Sequence, residues 1–187
     1  MSGADADLIA AFKSGNAMAF EALYWRHADR VWRFARFYTG SEDASAEIVQ
    51  EVFIRVSRAL ATFEGRAQFS TWLFVVVRSV AIEVSVKRRK APPQTDDEVL
   101  QRTPGKSGEP VDAMLANETR EAVQRAIQRL PENEREAVLL CELQELPIKE
   151  ASAVLGWSES RVKVTLFRAR RRLREYLASH VEAKLES

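Results

Sequence analysis

The chain is poor in the residues that support most kinds of site chemistry. A single cysteine, Cys141, excludes an internal disulfide and any cysteine-built zinc site, and its place after Val138, Leu139 and Leu140 marks it as a small core residue. The two histidines, His27 and His180, lie far apart with no neighbour at metal-ligand spacing, so no metal is expected. His27 reads as part of a packed helix face and His180 as an exposed tail residue. No glycine-rich phosphate loop and no cluster of catalytic side chains occurs, so neither a cofactor nor a catalytic residue is expected. The start, Met1-Ser2-Gly3-Ala4-Asp5, lacks the basic stretch and apolar core of a secretory signal, and no uninterrupted apolar run reaches membrane-spanning length. A soluble, cytoplasmic chain with no membrane insertion is the expectation. The 28 Lys and Arg nearly cancel the 27 Asp and Glu, so only local clustering of charge can point to a nucleic-acid partner.

Apolar residues at helical spacing are abundant, whereas alternating strand patterns and internal repeats are not found. Pro92, Pro93, Pro104 and Pro110 gather with Gly, Ser, Thr, Gln and Asp into one stretch that reads as a linker. The expected architecture is therefore all-α: two small helical domains, residues 1–90 and 112–187, joined by a flexible linker over 91–111. In the first, a short helix from Asp5 ends near Gly15, and Asn16 caps a longer one carrying Phe20, Leu23, Tyr24, His27, Val31 and Phe34. A third helix follows Gly40, with Ile48, Val52, Val56, Ala59 and Phe63 on one face and Val49, Phe53 and Leu60 widening it. A fourth is expected to start at Ser70 as its cap and to run through Leu73, Val77, Val80 and Val84 into Lys87-Arg88-Arg89-Lys90. Its valines cost helix propensity, so burial must hold it. In the second domain Asp112 caps a helix that Pro131 breaks. Helices over 132–143, 148–155 and 159 to about 177 follow.

The last two of these form a helix-turn-helix. Gly156 permits the left-handed turn between them, and Ser158 caps the second. Val162, Leu166, Ala169 and Leu173 make its buried stripe, while Arg161, Lys163, Arg168, Arg170, Arg171, Arg172 and Arg174 occupy the remainder with no acidic residue between Glu159 and Glu175. By charge alone a basic helix is more often a solvated face of an ordinary α-protein; the turn chemistry and the preceding apolar helix reverse that balance in favour of DNA. In a major groove the first turns reach base edges and the later arginines meet phosphates.

A second surface is suggested between the third and fourth helices, where Phe63-Glu64-Gly65-Arg66-Ala67-Gln68-Phe69-Ser70-Thr71-Trp72 mixes aromatic, polar and basic residues. Binding separated DNA strands needs flat surfaces for stacking, polar edges to read an everted base, and cations along the backbone. The other reading places Phe63, Phe69 and Trp72 in the core with Arg66 merely exposed. Composition does not choose between them.

Taken in order, Gly15-Asn16 with Ala19-Phe20-Glu21, then Ile48-Val49-Gln50-Glu51-Val52-Phe53, Phe69-Ser70-Thr71-Trp72-Leu73, Leu130-Pro131 and the C-terminal motif resemble the extracytoplasmic-function sigma factors of the sigma-seventy family. The resemblance spans almost the whole chain outside the linker. It implies a first domain that grips core RNA polymerase and opens the minus-ten element, a second that reads the minus-thirty-five element as duplex, an anti-sigma partner, and no enzymatic activity. Carried over residue by residue, Glu47, Gln50, Glu51 and Phe53 match the polymerase-binding surface. The loop Glu64 to Phe69, including Arg66, resembles the segment that captures a flipped base, and Phe69, Ser70, Trp72, Arg78, Ser79, Glu83, Lys87 and Arg88 complete the minus-ten set. Ser160, Arg161, Lys163, Val164, Phe167, Arg168 and Arg171 match the minus-thirty-five readers. Glu47 stands where aspartate is usual, Ser79 where asparagine is common, Arg161 where threonine is common, and Val164 where a polar residue is common. The changes at Ser79 and Val164 imply altered base preference, with Val164 suited to a thymine methyl.

A linker of about 22 residues has an r.m.s. reach of about 25 Å and a limit near about 75 Å. Promoter elements one or two helical turns apart are separated by about 35 to 70 Å. The relaxed chain thus holds its domains closer than DNA requires, which implies weak promoter affinity without polymerase. Two other classes fit parts of the sequence: a stand-alone helix-turn-helix regulator with a sensing or dimerising first block, and a helical enzyme, against which the lack of clustered catalytic groups speaks.

Overall fold

A computed structural model describes residues 3–90 and 111–185, and the stretch expected as a linker lies outside them. All described regular elements are helical. The first domain holds α1 (Gly3–Lys13), α2 (Ala17–Thr39), α3 (Glu42–Ala59), a 3-10 turn (Leu60–Thr62) and α4 (Phe69–Lys90). The second holds α5 (Val111–Gln128), α6 (Glu132–Val138), α7 (Ile148–Leu155) and α8 (Glu159–Leu185).

Local chemistry sets most boundaries. The Asn16 side chain accepts a hydrogen bond from the Met18 N–H, and the Ser41 hydroxyl accepts one from Ala44, so α2 and α3 each begin on a cap. Between them Gly40 adopts φ 76°, a left-handed conformation that a side chain disfavours. Pro131 and Pro147 precede α6 and α7, where a missing N–H costs nothing.

Several expected starts shift. The fourth helix begins at Phe69 rather than Ser70, because the Trp72 N–H reaches back to the Gln68 carbonyl and closes a turn before the expected cap. The first starts at Gly3, the fifth at Val111, and the last continues to Leu185 rather than ending near Leu177. The expected helix over 132–143 widens after Val138 into a π-turn, Leu139–Leu143, in which the Gln144 N–H bonds to the Leu139 carbonyl at 3.0 Å.

In the first domain α2, α3 and α4 pack together, with α1 laid along α2. Phe34, Phe69, Phe74, Leu23, Ile48 and Leu73 are among its fully buried large side chains, each contributing about 1.5–3 kcal/mol. The valines of α4 are held as their low propensity demands: Val77, Val80 and Val84 are interior. By length and mean hydropathy, 1.6 over an 18-residue window, α4 is the one described helix apolar enough to cross a membrane, yet its core face is occupied by the bundle. In the second domain α6 and α5 pack on α8, whose Val162, Leu166 and Ala169 are buried. Cys141 is half-buried, and burial followed by the neighbouring Glu142 pushes its thiol up to about 11.

The two domains touch. Helix α4 packs on α7, and α2 packs on α5 and on the π-turn, so the buried apolar residues form one continuous cluster.

Candidate nucleic-acid and polymerase interfaces

Helix α8 is positioned by a short corner. Gly156 ends α7 at φ 69°, and the Ser158 hydroxyl then accepts a hydrogen bond from the Arg161 N–H at 3.2 Å, which starts α8 cleanly. With Val162, Leu166 and Ala169 turned inward, Ser160, Arg161, Lys163, Val164, Phe167, Arg168 and Arg171 all lie exposed on the outer face. Two of these are apolar yet open to solvent: Val164 at 51% and Phe167 at 64% exposure. An apolar pair in the open, flanked by cations, has the composition of a base-reading surface.

The basic residues of α8 divide by partner. Arg170 pairs with Glu142 at 2.5 Å and Arg172 with Glu134 at 3.2 Å, which ties α8 back to α6 and the π-turn. Arg171 meets Glu175 at only 3.8 Å, and Arg161 stacks over the Trp157 ring at 4.2 Å. Lys163 and Arg168, the cations beside Val164 and Phe167, have no acidic partner among the described residues, and Arg174 further along α8 has none either.

On the first domain the candidate residues of α3 and α4 form one ladder of charge. The Glu47 carboxylate receives Lys87 at 3.1 Å and Arg88 at 3.2 Å, and the Lys87 hydrogen bond leads in holding its pKa below the usual value. Arg55 joins Glu51 at 2.7 Å to Glu83 at 2.7 Å, and the Ser79 hydroxyl donates to Glu83 at 3.0 Å. The hydrogen bond from Arg55 likewise leads in lowering the Glu83 pKa. Arg55 was missed by the sequence reading, although its place four residues after Glu51 signals a helical ion pair. Its own pKa is raised by both carboxylates, Glu83 first.

Gln50 is exposed at the rim of an open apolar groove of about 540 Å³ between α2 and α3, lined also by Phe20, Tyr24, Trp32 and Val49. Phe53, expected on the polymerase-binding surface, is 6% exposed and packs edge-on against Tyr24 at 4.6 Å, so it forms the floor of the groove rather than an outer contact. Trp25, at 70% exposure with its indole N–H on Glu21 at 3.4 Å and its ring edge-on to Tyr24, and Met18, at 75%, lie open on α2 and were not foreseen.

The aromatic loop is mostly core. Phe63 and Phe69 are buried, 6.0 Å apart, and Trp72, half-buried, touches both at 5.0 and 5.7 Å. Phe69 was expected among the minus-ten contacts; here the ring is interior, against His27 at 5.1 Å, and serves to anchor the loop. Lys13 on α1 fastens the other end by donating to the Phe63 carbonyl at 2.5 Å. Between the anchors Glu64, Arg66 and Gln68 are exposed, with Arg66 and Glu64 paired at 2.5 Å. Ser70 is partly exposed beside them.

Arg78 differs from the rest of its set. Its guanidinium is bound by both oxygens of Glu136, at 2.8 and 3.2 Å, so in this arrangement it faces the second domain rather than solvent. Burial raises the Glu136 pKa despite the pull of Arg78.

Two family models cover these surfaces: Sigma-70 region 2 matches residues 23–91, and Sigma-70, region 4 matches residues 120–173. The ECF RNA polymerase sigma-E factor of Escherichia coli strain K12 is 32% identical over 173 residues, 89% of this chain and 90% of that protein. The ECF RNA polymerase sigma factor SigE of Mycolicibacterium smegmatis is 28% identical over 169 residues, 90% of this chain and 65% of that protein. Among solved structures, CnrH in complex with the cytosolic domain of CnrY is similar at a TM-score of 0.72 and 26% identity, over 94% of this chain and 98% of CnrH. With a region 2 match over α2 to α4 and a region 4 match over α5 to α8, the chain belongs to the extracytoplasmic-function sigma factors of the sigma-70 family, the initiation factors that direct core RNA polymerase to promoter DNA.

Proposed function

We propose that the labour of promoter recognition divides as the surfaces do. The outer face of α8 reads the minus-thirty-five duplex, with Val164 and Phe167 on base edges and Lys163, Arg168 and Arg171 on phosphates. The loop 64–68 and the adjoining edge of α4 hold the unpaired minus-ten strand, and α3 with its apolar groove docks on polymerase. The chain performs no bond chemistry of its own and works in the cytoplasm. A protein partner of the anti-sigma kind is proposed too, since CnrH was solved with the cytosolic domain of CnrY. The observation that carries the reading is the α8 face, where exposed apolar side chains sit between cations that have no acidic partner among the described residues.

The test is reconstitution. Chain added to core polymerase at low salt should give open complexes at selected promoters, while the chain alone binds the same duplexes weakly. Lys163→Ala should weaken polymerase-bound promoter binding across sequences and reduce the salt slope by about 1. Failure to bind core polymerase would sink the reading, and a tight operator complex without polymerase would favour a stand-alone regulator.

A further inference from the structure

Helix α4 presents different residues to each of its surroundings. Leu73, Val77, Val80 and Val84 point into the core. Thr71 and Arg78 meet the second domain, where the Thr71 hydroxyl donates to Glu150 of α7 at 2.6 Å and both oxygens of Glu136 hold the Arg78 guanidinium. On the α3 side Glu83 and Lys87 join the charge ladder through Arg55 and Glu47. The remaining line, opposite the core at steps of three and four residues, runs Trp72, Val75, Ser79, Ile82 and Val86. Val75 is 44% exposed and Ser79 is exposed, while Trp72, Ile82 and Val86 are half-buried.

That composition is the reverse of an ordinary solvated face, which carries charge opposite its apolar stripe. The line holds no cation and a single hydroxyl, and that hydroxyl already donates to Glu83 at 3.0 Å. Core residues alone do not account for the mean hydropathy of 1.6, since less than half of the apolar window is buried. A contiguous apolar line left open to solvent marks a contact surface.

Its neighbours identify the occupant. At one end the Trp72 ring packs on Phe63 and Phe69, the two anchors of the loop 64–68, at 5.0 and 5.7 Å, and Arg66 stands exposed in that loop. At the other end the helix runs into Lys87, Arg88, Arg89 and Lys90, all exposed. An apolar middle of about 22 Å between two cationic ends suits a nucleic-acid strand whose phosphates are held at the ends and whose bases lie across the middle. Every base has a stacking face, but only thymine carries an apolar substituent on its edge, and that methyl is what an aliphatic side chain distinguishes.

We propose that Val75, one turn from both Trp72 and Ser79, is a specificity-determining residue that contacts a thymine methyl in the unpaired minus-ten strand. The proposal rests on the reading of α4 as a strand-binding surface. On that line the strand is sorted by apolar contact with a base and not by a phosphate contact, because no cation is there to make one.

The experiment uses the full chain bound to core polymerase. Selection from promoters with a randomised minus-ten element should enrich thymine at one position with the wild-type chain, and Val75→Ala should flatten that position alone. Deoxyuridine, which lacks only the methyl, placed there in the unpaired strand should weaken wild-type binding about fourfold, the worth of one buried methyl, and leave Val75→Ala binding unchanged. Val75→Lys supplies an independent reading: it should abolish the thymine preference, bind all strands more tightly, and steepen the salt dependence by about 0.7 in log–log slope. The exposure of Val75 lets both variants fold, which retained helix content and core-polymerase binding would verify. A wild-type chain indifferent to deoxyuridine at every thymine, or a Val75→Ala chain that keeps the full penalty, overturns the proposal. So does a Val75→Lys chain with an unaltered salt slope, the result expected if the line is covered by a protein and not by a strand. If the wild-type holoenzyme opens no promoter at all, the functional reading fails; if it opens promoters and the methyl has no effect, the role of Val75 alone fails.

Discussion

Val164 is exposed on α8 rather than packed, so on the proposed function a substitution there alters base contact and not the core. A valine offers a thymine methyl an apolar contact and offers no base a hydrogen bond. Val164→Ser should therefore shift the preferred base at one position of the minus-thirty-five element by about 1–3 kcal/mol, with total stability unchanged; a selection over randomised promoters measures it. At the other extreme of burial, His27 is 4% exposed, with Nε2 3.2 Å from Asp5 and the Phe69 ring alongside. Burial, aided by Arg30 and Arg26 and opposed by Asp5, lowers its pKa. The unfolded chain then binds the extra proton first, so stability is complete above about pH 6.5 and is lost as pH falls through that value towards the depressed one. Urea midpoints at pH 7.5 and 5.5 should differ more for wild type than for His27→Gln, in which the loss is absent. Other groups shift in the acid range, Glu136 upward and Glu47 and Glu83 downward, so the difference between the two proteins isolates His27.

At the scale of elements, residues that act on their own neighbours were legible and residues that act across the fold were not. Asn16, Gly40, Pro131 and Gly156 each announce a boundary through one local bond or one backbone angle, and the structure places ends there. The start of α4 was misjudged because Phe69 carries no capping group, and Ser70 looked like one. Much of α8 was readable from period: Val162, Leu166 and Ala169 are inward and Arg161, Lys163, Arg168, Arg170, Arg171 and Arg174 outward, whereas Arg172, expected outside, is half-buried against Glu134, and Thr165 is buried. The buried grip of Glu136 on Arg78 was not, since 58 positions separate the two and nothing in either neighbourhood requires the other. Phe53 and Phe69 were legible two ways, as members of an apolar stripe and as surface contacts implied by the resemblance, and the neighbouring helices that bury them decide for the first. Gly156 yields a test at this scale. A methyl there meets nothing within 4 Å, so Gly156→Ala costs only the left-handed backbone, about 1–2 kcal/mol in a denaturant titration, with DNA reading retained in the folded fraction.

For the whole molecule, the continuous apolar cluster predicts that the domains unfold together. Trp25, Trp32 and Trp72 report on the first domain and Trp157 on the second, so fluorescence and helix content should trace one urea transition in wild type and two in the Glu136→Gln, Glu150→Gln variant. Helix α4 has a consequence of its own at this scale. A segment of mean hydropathy 1.6 emerging from a ribosome is a target for membrane-targeting factors and for clumping with other nascent chains. Here α2 and α3, which cover it, are synthesised before it, so each greasy turn meets its cover as it leaves the exit tunnel, and the same helices in permuted order would lose that shelter.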